Sequence, residues 1–498
     1  MKKFTISLLG LLAAGLACLP APAQELFEQL DFPNPDNTPA PVFPVPTERQ
    51  VEWMKMEFYG FSHYGYNTFL GKEWGNDTRP DPTHYAPQSI PDCEQWVTAM
   101  KSAGMTGVVA VVKHHDGFCM WPTESTDFNV TASAGVGPQV DIPKLVSEAC
   151  RKHGMKFGVY LSPWDANASN YATQDYIDQN FRTQLTELLT NYGEVFEVWF
   201  DGANGGTGYY GGTSLTSKSI DKTVYYDYPN IADFVHKLQP GATVWGREFR
   251  WCGNEDGYSG RTCWSNSDIR SVQGEGNNNT GYEEGFEFIP SESDVRTSQN
   301  WFWNTSENIK SAEELYKIYL ETVGRNATLI MNCAPNTDGV LSDALVRNLN
   351  ELGSLLKTRL TDNFALTATS VTADQVRDGG KYAATNATDT DADTYWATND
   401  GQTTGSVTIE LPETKTVHYV MLQEYFQLGQ RVRAFNIEYS TDGSSWHPFA
   451  EGTTIGYKRI MAVDDNTASY GNGIQAKYIR VNITDSRACP LINNIAVY

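Results

Sequence analysis

Three stretches of the 498-residue chain end an apolar run on side chains that could move protons or attack carbon. "GVVAVV" (107–112) leads into Lys113, His114, His115 and Asp116. "FGVYL" (157–161) leads into Ser162, Pro163, Trp164 and Asp165. "VFEVWF" (195–200) stops at Asp201 and a glycine-rich stretch. An earlier segment, "FSHYGYNTFLGKEWG", adds His63, Tyr66, Asn67, Glu73 and Trp74, so these segments hold three of the eight histidines. Each group has an ordinary reading. Asp and Gly end many strands because they favour turns. Neighbouring histidines on an extended backbone face opposite sides, so only one of His114 and His115 meets a cavity unless the strand stops first. A His-His-Asp run can ligate metal, but no further ligand stands at a recognisable spacing, and neither metal nor cofactor is expected. Rings, neutral donors and carboxylates together suit a polyhydroxylated ligand, whose faces stack on aromatics while its hydroxyls form hydrogen bonds. Glycoside hydrolysis needs two carboxyl groups, one ionised and one protonated. Asp201 is a candidate for the first. For the second there are Glu248 in "WGREFRW", Glu255 in "RWCGNEDGYSG" and Glu292 in "IPSESDV", and spacing alone does not choose. Glu255 lies in a glycine-bounded loop after a strand, whereas Glu248 could be the salt-bridge partner of an arginine.

The elements that must position these groups alternate. The apolar runs at 107–112, 157–161, 195–200, 242–245 and 327–332 read as buried parallel strands. Helical stretches over 92–104, 141–153, 174–191, 228–238 and 312–323 separate them, several opening on acids and closing near glycine. Such alternation over some 300 residues predicts a (β/α)8-like TIM barrel, α/β in class, whose active site lies at the carboxyl ends of the strands. After about 365 the helical pattern ends. "GSVTIEL", "VHYVMLQEYF", "AFNIEYSTDGSSWHPF" and "AKYIRVNI" predict a C-terminal β-sandwich with a D-G hairpin turn. The expected division is a leader over 1–23, a barrel over 24–362 and a sandwich over 363–498.

A formal net charge of −23 opposes phosphate backbones, which argues against nucleic-acid partners. "MKKFTISLLGLLAAGLACLPAPAQ" has the lysines, apolar stretch and Ala-x-Ala end of a secretory signal peptide, which predicts export to the periplasm or the medium. A lipid anchor at Cys18 is the alternative, although Gly15 stands where a larger aliphatic residue is preferred. No later segment has the apolar length of a membrane span. Seven cysteines follow the leader without a C-x-x-C pair, so buried thiols are expected, with Cys252–Cys263 the one bridge the spacing suggests. The acidic loop "NATDTDADTYW" (386–396) could attract calcium, but reads as solvated turn acids.

In order along the barrel, "SHYGYNTFLGKEWG", "VVKHHDGFCMWPTESTDFNV", "EVWFDGANG", "RWCGNEDG" and "GRNATLIMNCAPNTDG" resemble successive blocks of the α-L-fucosidases of glycoside hydrolase family 29. The tail resembles a discoidin-like (coagulation factor 5/8 type C, galactose-binding-like) jelly roll. Its "LQEYFQLGQRV" is similar to the subfamily that prefers α-1,3/4-linked fucose. The resemblance implies an exo-acting retaining hydrolase of fucosylated oligosaccharides or glycoconjugates. Asp201 would be the nucleophile and Glu255 the general acid/base. His63, Trp74, His114, His115, Tyr160, Trp199 and Trp301 would line the fucose site. The chain departs from the family's "DVSIRPGWF" with "DVRTSQNWFW" (294–303), which moves the arginine. The alternatives are a glycosidase for another α-linked sugar such as α-L-galactose, and an inactive carbohydrate-binding protein.

Overall fold

The computed structural model describes residue 34 and residues 36–202, 204–268, 279–466, 470 and 473–498. The proposed leader and Cys18 lie outside them. Eight parallel strands form one curled sheet: β1 (Phe58–Ser62), β2 (Gly107–Lys113), β3 (Lys156–Leu161), β4 (Glu197–Trp199), β5 (Thr243–Val244), β6 (Arg250–Trp251), β7 (Ser291–Arg296) and β8 (Ala327–Asn332). The order across the sheet is β5-β4-β3-β2-β1-β8-β7-β6. A single parallel bridge, Trp245 to Phe249, joins the two edges and closes the barrel.

The helices form where capping chemistry starts and stops them. In α1 (Glu48–Met54), Thr47 and Gln50 build a reciprocal cap. The Asp92 and Asp141 side chains cap α2 (Cys93–Ser102) and α3 (Ile142–His153). In α3 a proline in the first turn, three basic residues in the last and Gly154 at φ +65° complete the pattern. α4 (Arg182–Asn191) follows a π-helical turn, and α5 (Tyr228–Leu238) and α6 (Ala312–Thr322) follow β4 and β7. α7 (Asp343–Arg359) comes after β8 and is a helix that the hydrophobic pattern did not single out. Only residues 245–249 separate β5 from β6, so the barrel has no helix there.

β7 departs from the apolar rule. Its sequence, "SESDVR", is buried from Ser291 to Val295, and alternate residues of a strand share a face. Glu292, Asp294 and Arg296 therefore rise in a column on one face. Glu292 accepts hydrogen bonds from Tyr59 of β1 and Trp199 of β4, across the barrel interior. The column thus faces the barrel axis.

The C-terminal part is a sandwich of a five-stranded and a four-stranded antiparallel sheet. Its strands are β9 (Ser370–Ala373), β10 (Trp396–Ala397), β11 (Gly405–Val417), β12 (Tyr419–Glu424), β13 (Val432–Ser440), β14 (His447–Gly452), β15 (Arg459–Ala462), β16 (Ile474–Ser486) and β17 (Leu491–Val497). Residues such as Val407, Ile409, Phe435, Ile437, Ile479 and Val481 fill the space between the sheets. Tyr419, Met421, Phe426 and Ile460 belong instead to the barrel's buried cluster, so the two parts share apolar surface. The Pro-rich lead-in lies on the sandwich. Arg377 donates to the Asn37 carbonyl at 2.5 Å, Arg431 to that of Ala40 at 2.6 Å and Arg487 to that of Phe43 at 2.9 Å. All seven cysteines described are buried free thiols, so the Cys252–Cys263 bridge is not formed. Among the described residues no cluster of His, Cys, Asp or Glu is arranged to hold a metal, and no helix is long and apolar enough to cross a membrane.

Candidate active site

The groups read from the strand ends converge at one mouth of the barrel. β2 stops at Lys113, which releases His114 and His115 from the alternation rule, and both rings join the cluster with centroids 4.0 Å apart. Tyr160, at the end of β3, stacks on Trp199 of β4 at 5.4 Å and on His114 at 5.8 Å. Its hydroxyl donates to Asp201 Oδ2 at 2.9 Å. Burial and the Asp201 charge push the Tyr160 phenol up, so it stays protonated as a donor. His115 Nε2 lies 3.8 Å from Asp201 Oδ1. Trp74 packs edge-on against His115 at 4.9 Å and is 49% exposed, which puts it at the mouth and not in the wall.

The histidines are neutral, because burial lowers the affinity of all three for a second proton, His63 to a pKa of about 3. Hydrogen bonds fix which nitrogen carries the proton. Asn332 Oδ1 accepts at 2.8 Å from His63 Nδ1, and the Asn332 amide donates to the Trp301 carbonyl. Ser162 spends its hydrogen on the Trp164 carbonyl, so it accepts from His115 Nδ1 at 2.8 Å. His63 and His115 therefore offer Nε2 lone pairs, as acceptors for hydroxyl groups.

Of the three candidates for the second carboxyl, the surroundings separate one. Glu248 precedes β6 on the α1 side, 3.5 Å from Arg49 and 3.4 Å from His236, and caps the Val244 N–H. It is a structural ion-pair partner. Glu292 is enclosed in the barrel axis with Glu197. Tyr59 donates to both, Trp199 Nε1 donates to Glu292 at 2.6 Å, and Trp53 Nε1 donates to Glu197 at 2.6 Å. Burial raises both carboxyls, and their mutual charge raises Glu292 further, so the pair retains a proton at neutral pH. Neither is reachable. Glu255 has a side chain 41% exposed, against 27% for Asp201, and both open on the same mouth.

A built loop holds Glu255. Its backbone is left-handed at φ +54°, and the next residue, Asp256, bridges to Val295 of β7. Trp301 Nε1 donates to Glu255 Oε2 at 3.2 Å, and Arg296 Nη2 lies 3.8 Å from the same oxygen. Arg296 also covers the Trp301 ring at 5.4 Å. The "DVRTSQNWFW" segment therefore brings its displaced arginine to the Glu255 carboxylate. Asp201 hangs from Tyr160 and Glu255 from Trp301, and the His63 ring stands between those two rings at 6.0 and 5.1 Å.

Three contributors escaped the sequence reading, and a fourth, Glu73, was read there without a role. Glu73 fastens Trp301 by accepting its backbone N–H with both oxygens, at 2.8 and 3.0 Å. Phe302 packs edge-on against His63 and His114 at 5.2 and 5.1 Å. Asp294 and Arg296 come from β7, where carboxyl and guanidinium groups two residues apart were the available signal.

The family model "Alpha-L-fucosidase" matches residues 41–359, and "F5/8 type C domain" matches residues 365–495. Alpha-L-fucosidase 1 of Arabidopsis thaliana is 31% identical, over 92% of this chain and 88% of that protein. A Ruminococcus gnavus GH29 fucosidase solved in complex with fucose superposes with a TM-score of 0.82 at 31% identity, covering 93% of this chain and 96% of that one. A glycoside hydrolase 29 family member from an unknown rumen bacterium gives 0.78 at 33% identity, over 93% and 78% of the two chains. With the barrel matched almost end to end and the likeness continuing through the sandwich, this chain belongs to the glycoside hydrolase 29 family of α-L-fucosidases.

Proposed function

We propose that the protein is an exo-acting retaining hydrolase that releases terminal α-1,3/4-linked L-fucose from glycans through a covalent fucosyl-enzyme intermediate. The observation that carries this reading is the pairing of two half-buried carboxylates at one mouth, each held by an aromatic donor: Asp201 by Tyr160 and Glu255 by Trp301. In this reading a retaining pair stands about 5 Å apart. Asp201 attacks the anomeric carbon as Glu255 gives its proton to the leaving oxygen. Glu255 then takes a proton from the water that attacks the fucosyl ester. The Nε2 atoms of His63 and His115 accept from sugar hydroxyls, while His114, Tyr160 and Trp199 form the wall and Trp74 and Trp301 the mouth.

Fucose is favoured over α-L-galactose because Phe302, buried between His63 and His114, offers an apolar surface to a sugar methyl where a hydroxymethyl would lose hydration. The linkage assignment draws on "LQEYFQLGQRV", whose Gln430 accepts from Ser265 N at 2.7 Å and whose following Arg433 pairs with Glu283. That stretch braces the long segment between β6 and β7 that also carries Glu255. Export, with the leader removed after residue 23, is the further part of the reading.

Incubation with Lewis-type α-1,3/4-linked, α-1,2-linked and aryl fucosides, with free fucose as the readout, tests it. Release from the Lewis-type glycans first, abolished by Asp201→Asn with sugar binding retained, is the expected result. An Asp201→Asn variant that turns over at the parent rate removes the assignment.

A further inference from the structure

Asn332 closes β8, fully buried and directly opposite Phe61 of β1 and Arg296 of β7 in the sheet register. Its carboxamide joins two parts of the mouth that the mechanism uses separately. The amide nitrogen donates to the Trp301 carbonyl at 2.7 Å, and the amide oxygen faces His63 Nδ1 at 2.8 Å. A carbonyl only accepts, so the Trp301 contact fixes which end of the amide is nitrogen. The other end can then only accept the His63 proton. We propose that Asn332 is a positioning residue for both halves of the site: one side chain sets the lone pair that His63 turns to the sugar and the seat of the indole that holds Glu255. This rests on the reading of Glu255 as general acid/base.

The seat is a two-point clamp. Trp301 is tied through its N–H to both oxygens of Glu73, at 2.8 and 3.0 Å, and through its carbonyl to Asn332. With the residue held at both ends, its indole Nε1 reaches Glu255 Oε2 at 3.2 Å, and its ring stands 5.1 Å from that of His63. The second group near that oxygen, Arg296 Nη2 at 3.8 Å, belongs to the residue paired with Asn332 across β7 and β8. The Asn332 backbone is fastened as well. Its carbonyl accepts from the N–H of Thr297 at 3.2 Å and from the Thr297 hydroxyl at 2.7 Å. The carboxamide bonds His63 and Trp301, and it acts through them.

The two halves have different kinetic signatures. A sugar hydroxyl leaves only with a proton, whereas fluoride departs as an anion, so a misplaced general acid slows the first far more than the second. Loss of the Trp301 seat therefore penalises glycans and spares fucosyl fluoride. Loss of the His63 contact weakens the hold on the fucose ring, which both substrates share. A general loosening of the fold would lower both rates alike and leave no such split.

The test measures kcat/KM on a fucosylated glycan and on α-L-fucosyl fluoride, with the Ki of free fucose, for the full chain, Asn332→Leu, Trp301→Phe and the double variant. In Asn332→Leu the glycan rate is expected to fall about tenfold further than the fluoride rate, and the fucose Ki to rise about fivefold. Trp301→Phe keeps a ring in the seat but no donor, and should show the same split. In that background Asn332→Leu should add no further leaving-group penalty, because its route to Glu255 is already cut. Equal losses on the two substrates or an unchanged fucose Ki in folded Asn332→Leu, or penalties that multiply in the double variant, overturn the proposal. Trp301→Phe without a split overturns it too, whether or not Asn332→Leu folds. If Glu255→Ala shows the split and Asn332→Leu does not, only this inference fails. If Glu255→Ala shows none, or the parent releases no fucose, the functional reading fails with it.

Discussion

Within the mouth, each carboxylate is defined by what holds it. Glu255 is fixed by Trp301 and Arg296, and in the proposed mechanism its removal takes away acid/base assistance worth roughly 10²–10⁴-fold in rate. Glu255→Ala should fall by that order on a natural glycan. On an activated aryl fucoside, added azide should restore turnover and yield fucosyl azide, seen by mass spectrometry. Deeper in the barrel, Glu292 ties Trp199 to the axis, and Trp199 stacks on the tyrosine that holds Asp201. Glu292→Ala leaves the Trp199 and Tyr59 donors without that acceptor, a cost of about 1–3 kcal/mol for each buried group. Glu292→Gln, which keeps an acceptor, should recover most of the loss when thermal unfolding is compared.

Among the elements, the five apolar runs read from the sequence all coincide with barrel strands, because burial on both faces leaves an unbroken apolar signature. β7 was illegible for the opposite reason. Its inward positions carry charge that only the assembled site explains, so hydropathy sees a loop where a strand stands. The place of Asp201 at the mouth was legible because it follows such a run, while the burial of Glu248 and Glu292 away from it rests on contacts from α1 and β1 that no spacing reveals. The loop after β6 depends on a close approach. Gly257 sits at φ +74°, and an added Cβ would come within 2.7 Å of Ile318 and 2.8 Å of Val295. Gly257→Ala should therefore cost roughly 1–3 kcal/mol of stability and lower kcat more than it changes KM, since it shifts Glu255 while leaving the pocket wall intact.

For the whole molecule, buried titratable groups set two opposing pH windows. Asp294 and Asp116, both raised to about 7 chiefly by burial, bind protons in the native state that the unfolded chain releases above its ordinary carboxyl range. Their contribution is full at low pH and is lost as pH rises through the native values, at about 1.4 kcal/mol per unit for each group. His63 works the other way. Lowered to about 3, it contributes stability above the ordinary imidazole range that is lost as pH falls. Urea unfolding should accordingly show the two trends opposing each other between about pH 4 and 6.5, with the carboxyl decline ending near pH 7. Asp116→Asn should remove its share of that carboxyl decline. The sandwich is part of the same balance, because Tyr419, Met421, Phe426 and Ile460 are shared with the barrel cluster. A chain ending at 362 should aggregate on expression, which light scattering of the purified fragment would reveal.

The strap of the lead-in across the sandwich also imposes an order of events. Its carbonyls at 37, 40 and 43 await guanidinium groups 340, 391 and 444 positions later in the chain. Synthesis runs from the amino end, so the first part made is among the last to be seated. Completion of the native molecule is thereby tied to arrival of its closing residues, and an interrupted product leaves its opening segment open to proteolysis.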